Sequence, residues 1–383
     1  MVFALLILFA MLALGVAGLS AASSGLTLAT NYRTGIQAAQ AAESGVVHAV
    51  RAINQTGGVV DFRTDVASSS AWSSLWPSNT SPVAMQGYSG ISYTVTPVTA
   101  AQGSMTAPTA ASMWLTSPGQ APGQSQRTIN ARLGLTQPFT CGAIDLPRSG
   151  ISADFNGNNF SVDGRNYPLG STTPDGNPTT LGISTRTQTD ANTVVSALGN
   201  NQQDNVQGTA VPNQVASVGP CSGASTARIT NTIVPNMLAQ PGVVSDPVDR
   251  TNINGNVTLG TVSSPQTTYF SGDTTIKANG NASGAGILIV NGSLTIQGSF
   301  YFTGLIIVVG PTRIGQNNGG GDTGITGNAT VYGAVWTTDL SLTVGGSAAV
   351  RYSNPALSLA NNIPGLTEPP IPQTVAVFGW IEG

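Results

Sequence analysis

The sequence predicts an α+β chain: a long N-terminal helix, a small antiparallel sheet, and then a parallel β-solenoid (β-helix). Three observations carry this expectation. Residues 1–19, MVFALLILFAMLALGVAGL, contain no charge and no strongly polar group, and the first charge in the chain is Arg33. Two later runs, residues 90–99 and 127–135, alternate apolar and polar residues as half-buried strands do. From Cys141 onward, short phrases of Asn, Gly, Ser and Thr alternate with β-branched residues, and one of them recurs: GILIV at 286–290 returns as GLIIV at 304–308.

The helix comes first. About 20 apolar residues carry a helix across a bilayer core, so the opening run is long enough to span one or to pack against copies of itself. A secretory signal peptide would place a basic region before its apolar core, and a plain anchor would show basic residues near one end. This run has neither. A buried core helix would usually be shorter. Residues 20–54 hold no proline and are rich in Ala and Gln. Within them Leu26, Tyr32, Ile36, Ala39, Val46, Val50 and Ile53 recur at three- and four-residue steps, the amphipathic pattern. Gly57-Gly58 supplies the stop. One helix of about 50 residues, roughly 75–80 Å long, is therefore expected, apolar all round at first and one-sided later. Gly15, Gly18 and Gly25 are expected to weaken its middle. Its second half has a globular domain to lie on, whereas its first half has no cover in its own chain.

An uncharged apolar start followed by AAQAAESGVVHAVRAIN resembles the N-terminal segment of type IV pilins. It is most similar to the PilX-type pilus assembly proteins, whose helix carries an AAEAG stretch where this chain has Ala41-Ala42-Glu43-Ser44-Gly45. The resemblance covers residues 1–55 well and the rest more loosely. It implies removal of a short basic leader before Met1 by a prepilin peptidase, storage in the inner membrane, and packing with copies of itself in an extracellular helical filament. The pilus assembly machinery is an implied partner. The assembly surface would be Met1, Val2, Phe3, Leu5, Leu6, Leu8, Phe9, Leu12, Leu14, Val16, Leu19 and Leu26. Major pilins generally carry glutamate at the fifth mature position, where it pairs with a neighbour's N-terminal amine. Leu5 stands there instead, which favours a minor pilin or tip adhesin of a pilus, or of a type II secretion pseudopilus.

Composition narrows the function classes. Charged residues are 8% of the chain, against about a quarter in ordinary soluble domains. The net charge of −3 offers no basic surface for nucleic acid. A soluble protein so poor in charge is prone to associate, which an extracellular polymer tolerates better. The two cysteines, Cys141 and Cys221, form no C-x-x-C, so zinc and c-type haem have no ligand set. In an exported chain they are expected to pair as a disulfide, the alternative being two buried thiols.

Taken in order, the chain falls into residues 1–56 (helix), 57–138 (loop and hairpin domain), 139–353 (solenoid) and 354–383 (tail). Trp72 and Trp76 are expected to anchor an irregular loop by core packing. SPGQAPGQSQ at 117–126 reads as the turn between two strands, with Met113-Trp114-Leu115 opening the second. Gly333-Ala334-Val335-Trp336 is a third copy of the recurring phrase, after a glycine-rich insertion at 316–327. One rung buries no apolar face alone, but stacked rungs share a core. A two-sheet sandwich built of hairpins is the alternative. Helices are expected at 190–199 and within 214–236. The apolar end, TVAVFGWIEG, suits a last strand capping the solenoid, a strand of the hairpin sheet, or a subunit-contact arm.

Catalytic signatures are absent. The lone His48 sits mid-helix and reads as structural or interfacial, and no G-x-S-x-G elbow or GK[ST] loop occurs. Asp322 is a lone carboxylate in its glycine-rich loop, too little for a metal site. Asp273, Lys277, Arg313, Asp339 and Arg351 are scattered singly, unlike the clustered groups of a polysaccharide-cleaving β-helix. No enzyme activity and no cofactor are therefore expected. Arg33, Glu43 and Arg51 on the helix are candidate charges for pairing between subunits. N-x-[ST] sequons begin at Asn54, Asn79, Asn159, Asn256, Asn281, Asn291 and Asn328, as chance allows in so Asn- and Ser-rich a chain.

Overall fold

The computed structural model describes residues 2–76, 82–138, 140–175, 179–221, 226–245, 252–310, 312–314, 329–337, 341–345, 347–366 and 370–382. The chain divides into two compact units. Residues 1–53, 61–134 and 376–383 form the first, and residues 54–60 and 135–375 the second.

Helix α1 (Val2–Gln55) is a single α-helix of 54 residues, and it runs through Gly15, Gly18 and Gly25 without a break. Gly57 and Gly58 end it at positive φ (98° and 78°), a conformation that costs glycine little. Its buried stripe is made of small residues: Ala38, Ala41, Ala42, Val46, Ala49 and Ile53. Leu26, Tyr32 and Ile36, which share the amphipathic spacing, are exposed instead. The stripe that rests on the first unit's own sheet therefore begins at Ala38, about ten residues later than the periodicity predicts.

That sheet is antiparallel. β1 (Ser112–Ala121) and β2 (Ser125–Pro138) form its long hairpin, with Thr116 opposite Asn130 and Gly119 opposite Arg127. The predicted turn at 117–126 is thus mostly strand, and Pro122–Gln124 alone makes the reversal, with Gly123 at φ 76°. Residues 90–99 contribute only the two-residue strands Ser92–Tyr93 and Thr96–Pro97, both paired with β1. The C-terminal strand, Gln373–Glu382, lies beside β2 at the sheet edge. Small residues let β1 approach α1 closely. A Cβ at Gly119 would strike the backbone of Ala38 and Ala42. Ser117 Oγ donates to the Ala42 carbonyl at 2.8 Å. Trp72 and Trp76 are buried, as expected, but Trp72 sits in a short helix, α2 (Ser69–Leu75), rather than in a loop.

The second unit is β-rich, and its named strands pair in parallel, not as the hairpins a sandwich would need. We label β3 (Gly142–Leu146), β4 (Leu181–Thr185), β5 (Val218–Pro220), β6 (Gln266–Phe270), β7 (Thr274–Val290), β8 (Leu294–Val308), β9 (Thr330–Thr337) and β10 (Ala349–Tyr352). The recurring phrase fixes the register. Gly286 lies opposite Gly304, and Gly304 opposite Gly333. Two residues on, Leu288, Ile306, Val335, Ile144, Ile183 and Val218 stack from strand to strand in one buried column. At about 4.8 Å per strand that column is roughly 24 Å long. Three glycines make the corner possible, at φ 115°, 137° and 131° for Gly286, Gly304 and Gly333. A helix predicted at 190–199 appears as α3 (Gln188–Ala197), capped by the Thr187 hydroxyl, which accepts from the Asp190 N–H at 3.2 Å. The segment 214–236 is helical from Thr226 onward, including a π-helical stretch at Ile229–Ile233. In the tail, α4 (Asn354–Asn361) precedes the C-terminal strand.

Candidate assembly surface and buried polar groups

The first half of α1 presents its apolar side chains outward. Leu5, Leu6, Leu8, Phe9, Leu12, Leu14, Val16, Leu19 and Leu26 are 59–74% exposed. Burying one such side chain is worth about 1.5–3 kcal/mol, so this surface forgoes many times that amount in water. Met1 lies outside the described residues, as do the side chains of Val2 and Phe3. The helix is long and apolar enough to cross a membrane, with a mean hydropathy of 2.4 in its most apolar window. Hydroxyls extend the tolerance of this helix for a dry medium. Ser24, Thr27 and Thr30 each donate to the carbonyl four residues back, at 2.9 Å, and so need no outside partner. Tyr32, four residues past Leu28, is exposed as well.

Arg33, Glu43 and Arg51 are all exposed on α1, and no ion pair joins them among the described residues. His48 is held on its own unit: Nδ1 lies 2.8 Å from Tyr93 Oη, and its ring meets Trp76 edge-on at 4.6 Å.

Cys141 and Cys221 are joined as a disulfide, 80 residues apart in sequence. Beside it stands a group the sequence did not mark. Asp145 follows Trp336 in the strand stack and precedes Ser184, and it is buried. It accepts from Ser184 Oγ, from Thr140 Oγ1 at 3.1 Å and from the Cys141 N–H at 3.2 Å. Burial pushes its carboxyl up to about 7, against the lowering effect of those bonds. Because its folded value lies above its unfolded value of 3.8, the folded state holds the extra proton between the two. Stability from this group is full below about pH 4 and is lost as pH rises through about 7. The loss is on the order of 4 kcal/mol. The thermal midpoint of the parent is expected to fall between about pH 4 and 7, and Asp145→Asn is expected to flatten that slope. A parent midpoint that stays level over this range would refute the assignment.

A second polar cluster is closed on itself. Asp163 takes three bonds from the Arg165 guanidinium, at 3.0, 3.1 and 2.6 Å, and one from Tyr167 Oη at 2.6 Å. Burial works to raise it, and these bonds outweigh burial and hold it below the usual carboxylate range. The Arg351 guanidinium lies 5.4 Å from the ring centres of both Tyr167 and Tyr332. These groups satisfy one another, which suits a fastening rather than a catalytic site. Asp273 likewise ties one strand connection to the next, accepting from the Ser293 N–H at 2.7 Å. Among the described residues no three His, Cys, Asp or Glu side chains gather as a metal site. Asp322, Asp339 and the glycine-rich insertion lie outside the described residues, as does the side chain of Arg313.

No family model and no curated protein matches the chain. Among solved structures it is similar to the competence-associated pilin ComZ from Thermus thermophilus, at 12% identity over 91% of this chain and 98% of that one, with a TM-score of 0.24.

Proposed function

We propose that this protein is a type IV pilin-like structural subunit of PilX type, without enzymatic activity, that polymerises through the apolar half of α1. The observation that carries the reading is the row of exposed apolar side chains from Leu5 to Leu28, which its own chain leaves bare. In the inner membrane, lipid covers the row in the precursor; in an extracellular filament, the same faces of sister helices cover it. The stacked parallel strands of the second unit form a β-solenoid at the filament surface. Their in-register glycines and aliphatic column support this reading.

Leu5→Asp with Leu8→Asp places two carboxylates in that core. Loss of filaments is expected, with the circular dichroism of the β-rich unit unchanged. Filaments of unaltered yield, seen by negative-stain microscopy, would overturn the proposal. A second reading is a minor subunit or tip adhesin, and subunit abundance in purified filaments separates the two.

A further inference from the structure

The C-terminal strand is the last strand of the antiparallel sheet: β2 lies on one side of it, and among the described residues no strand lies on the other. The beginning of its outer edge is closed by the chain itself. Gln373 and Val59 exchange backbone hydrogen bonds, each 2.8 Å. The Asn54 amide continues the pattern, donating to the Val375 carbonyl at 3.0 Å and accepting from its N–H at 2.8 Å. Alternate residues of a strand face alternate edges, so Val377, Gly379 and Ile381 carry the next outward N–H and C=O groups. Between them stand Phe378 and Trp380, 64% and 55% exposed. Natural edges are usually guarded by lysine, proline or brevity. Gln373–Glu382 is ten residues long, has no lysine and no proline, and carries one charge, at its end.

Residues 377–381 read Val-Phe-Gly-Trp-Ile, near-palindromic about Gly379. We propose that this edge is a self-complementary docking surface and that a second copy of the chain occupies it. Residues 377–381 of the two copies pair antiparallel across a two-fold axis at Gly379. In this register Gly379 faces the partner's Gly379 and Val377 faces the partner's Ile381, as hydrogen-bonded pairs. Phe378 meets the partner's Trp380, and Trp380 the partner's Phe378, at the closer non-hydrogen-bonded positions where cross-strand aromatic contacts are strongest. Glu382 faces the partner's Ala376, so like charges are not opposed. The near-palindrome singles out a second copy: an unrelated strand would ask only for an apolar edge, not for the same order of residues in both directions.

The C-terminal strand runs opposite to α1, because Val377 packs by Ala42 and Val46 while Glu382 lines a surface hollow with Asn31 and Ala39. The two-fold axis therefore sets the two α1 helices antiparallel. This contact is distinct from the helix bundle proposed above and does not depend on it.

The test uses the full chain in detergent, which shields the apolar helix. Facing residues of a hydrogen-bonded antiparallel pair have Cα atoms about 5.5 Å apart, a spacing a disulfide accepts. A Cβ at Gly379 meets nothing within 4 Å, so Gly379→Cys leaves the fold intact. Without reductant, Gly379→Cys is expected to give a linked dimer at least fivefold more abundant than the exposed control Gln126→Cys. Adding Phe378→Ser and Trp380→Ser is expected to return it to the control level. In sedimentation without any added cysteine, Gly379→Pro, which removes an outward N–H, is expected to weaken association about tenfold. Linkage no greater than the control, or equal association of Gly379→Pro and the parent, overturns the proposal. Linkage that persists in the Leu5→Asp, Leu8→Asp chain shows the edge acting without the helix, so the two readings fail separately.

Discussion

Gly304→Ala is expected to lower the stability of the β-rich unit by about 3–5 kcal/mol, read as a shift in the urea midpoint by circular dichroism. Two causes add. Gly304 has φ 137°, a conformation that side chains rarely adopt, and a Cβ there would collide with the Gly286 carbonyl in the strand below. The obstacle is backbone, which cannot step aside as a side-chain tip can. Gly333 repeats the arrangement one strand further on, with its Cβ aimed at the Gly304 carbonyl. Gly379→Ala is the matched control: nothing lies within 4 Å of the added carbon, and a change within about 0.5 kcal/mol is expected. A Gly304→Ala chain as stable as the parent would mean that the stacked corner is not a tight one.

Removing the Cys141–Cys221 bond is expected to have an effect of similar size. Its 80-residue separation closes a long loop, which in the chain-entropy account is worth about 4.5 kcal/mol. For a unit of this size that corresponds to a fall of about 10–15 °C in thermal midpoint. Both cysteines lie at the start of the parallel stack, Cys141 before β3 and Cys221 after β5, so the bond ties the first strands together. The Cys141→Ser, Cys221→Ser double variant, scanned by calorimetry against the parent, checks the number. A fall under about 3 °C would assign the stability to packing alone.

The parts of this fold legible in the sequence are those whose signal repeats along the chain. The apolar run of α1 states its own length, and the recurring phrase at 286 and 304 states its own pairing, since stacked strands need like residues at like positions. Legibility failed where tertiary contact overrides local chemistry. Pro118 and Gly119 look like a turn, yet they lie in β1, where the absent side chain of Gly119 lets the strand rest on α1. Leu26, Tyr32 and Ile36 keep the helical spacing, but spacing alone does not say whether the covering surface belongs to the same chain. Asp145 and Asp163 gave no warning either. A single aspartate carries no local mark of burial, and its environment is assembled from strands far apart in sequence.

The paired bonds between Asn54 and Val375 bear on glycosylation. Asn54 begins an N-x-[ST] sequon, and its side-chain nitrogen is the atom a glycan would take. In the folded chain that nitrogen is already engaged, and its oxygen with it. A sugar can be attached there only before the C-terminal strand arrives, and once attached it would meet that strand at its point of entry. Of the sequons in this chain, this one is shut by the order in which the fold closes.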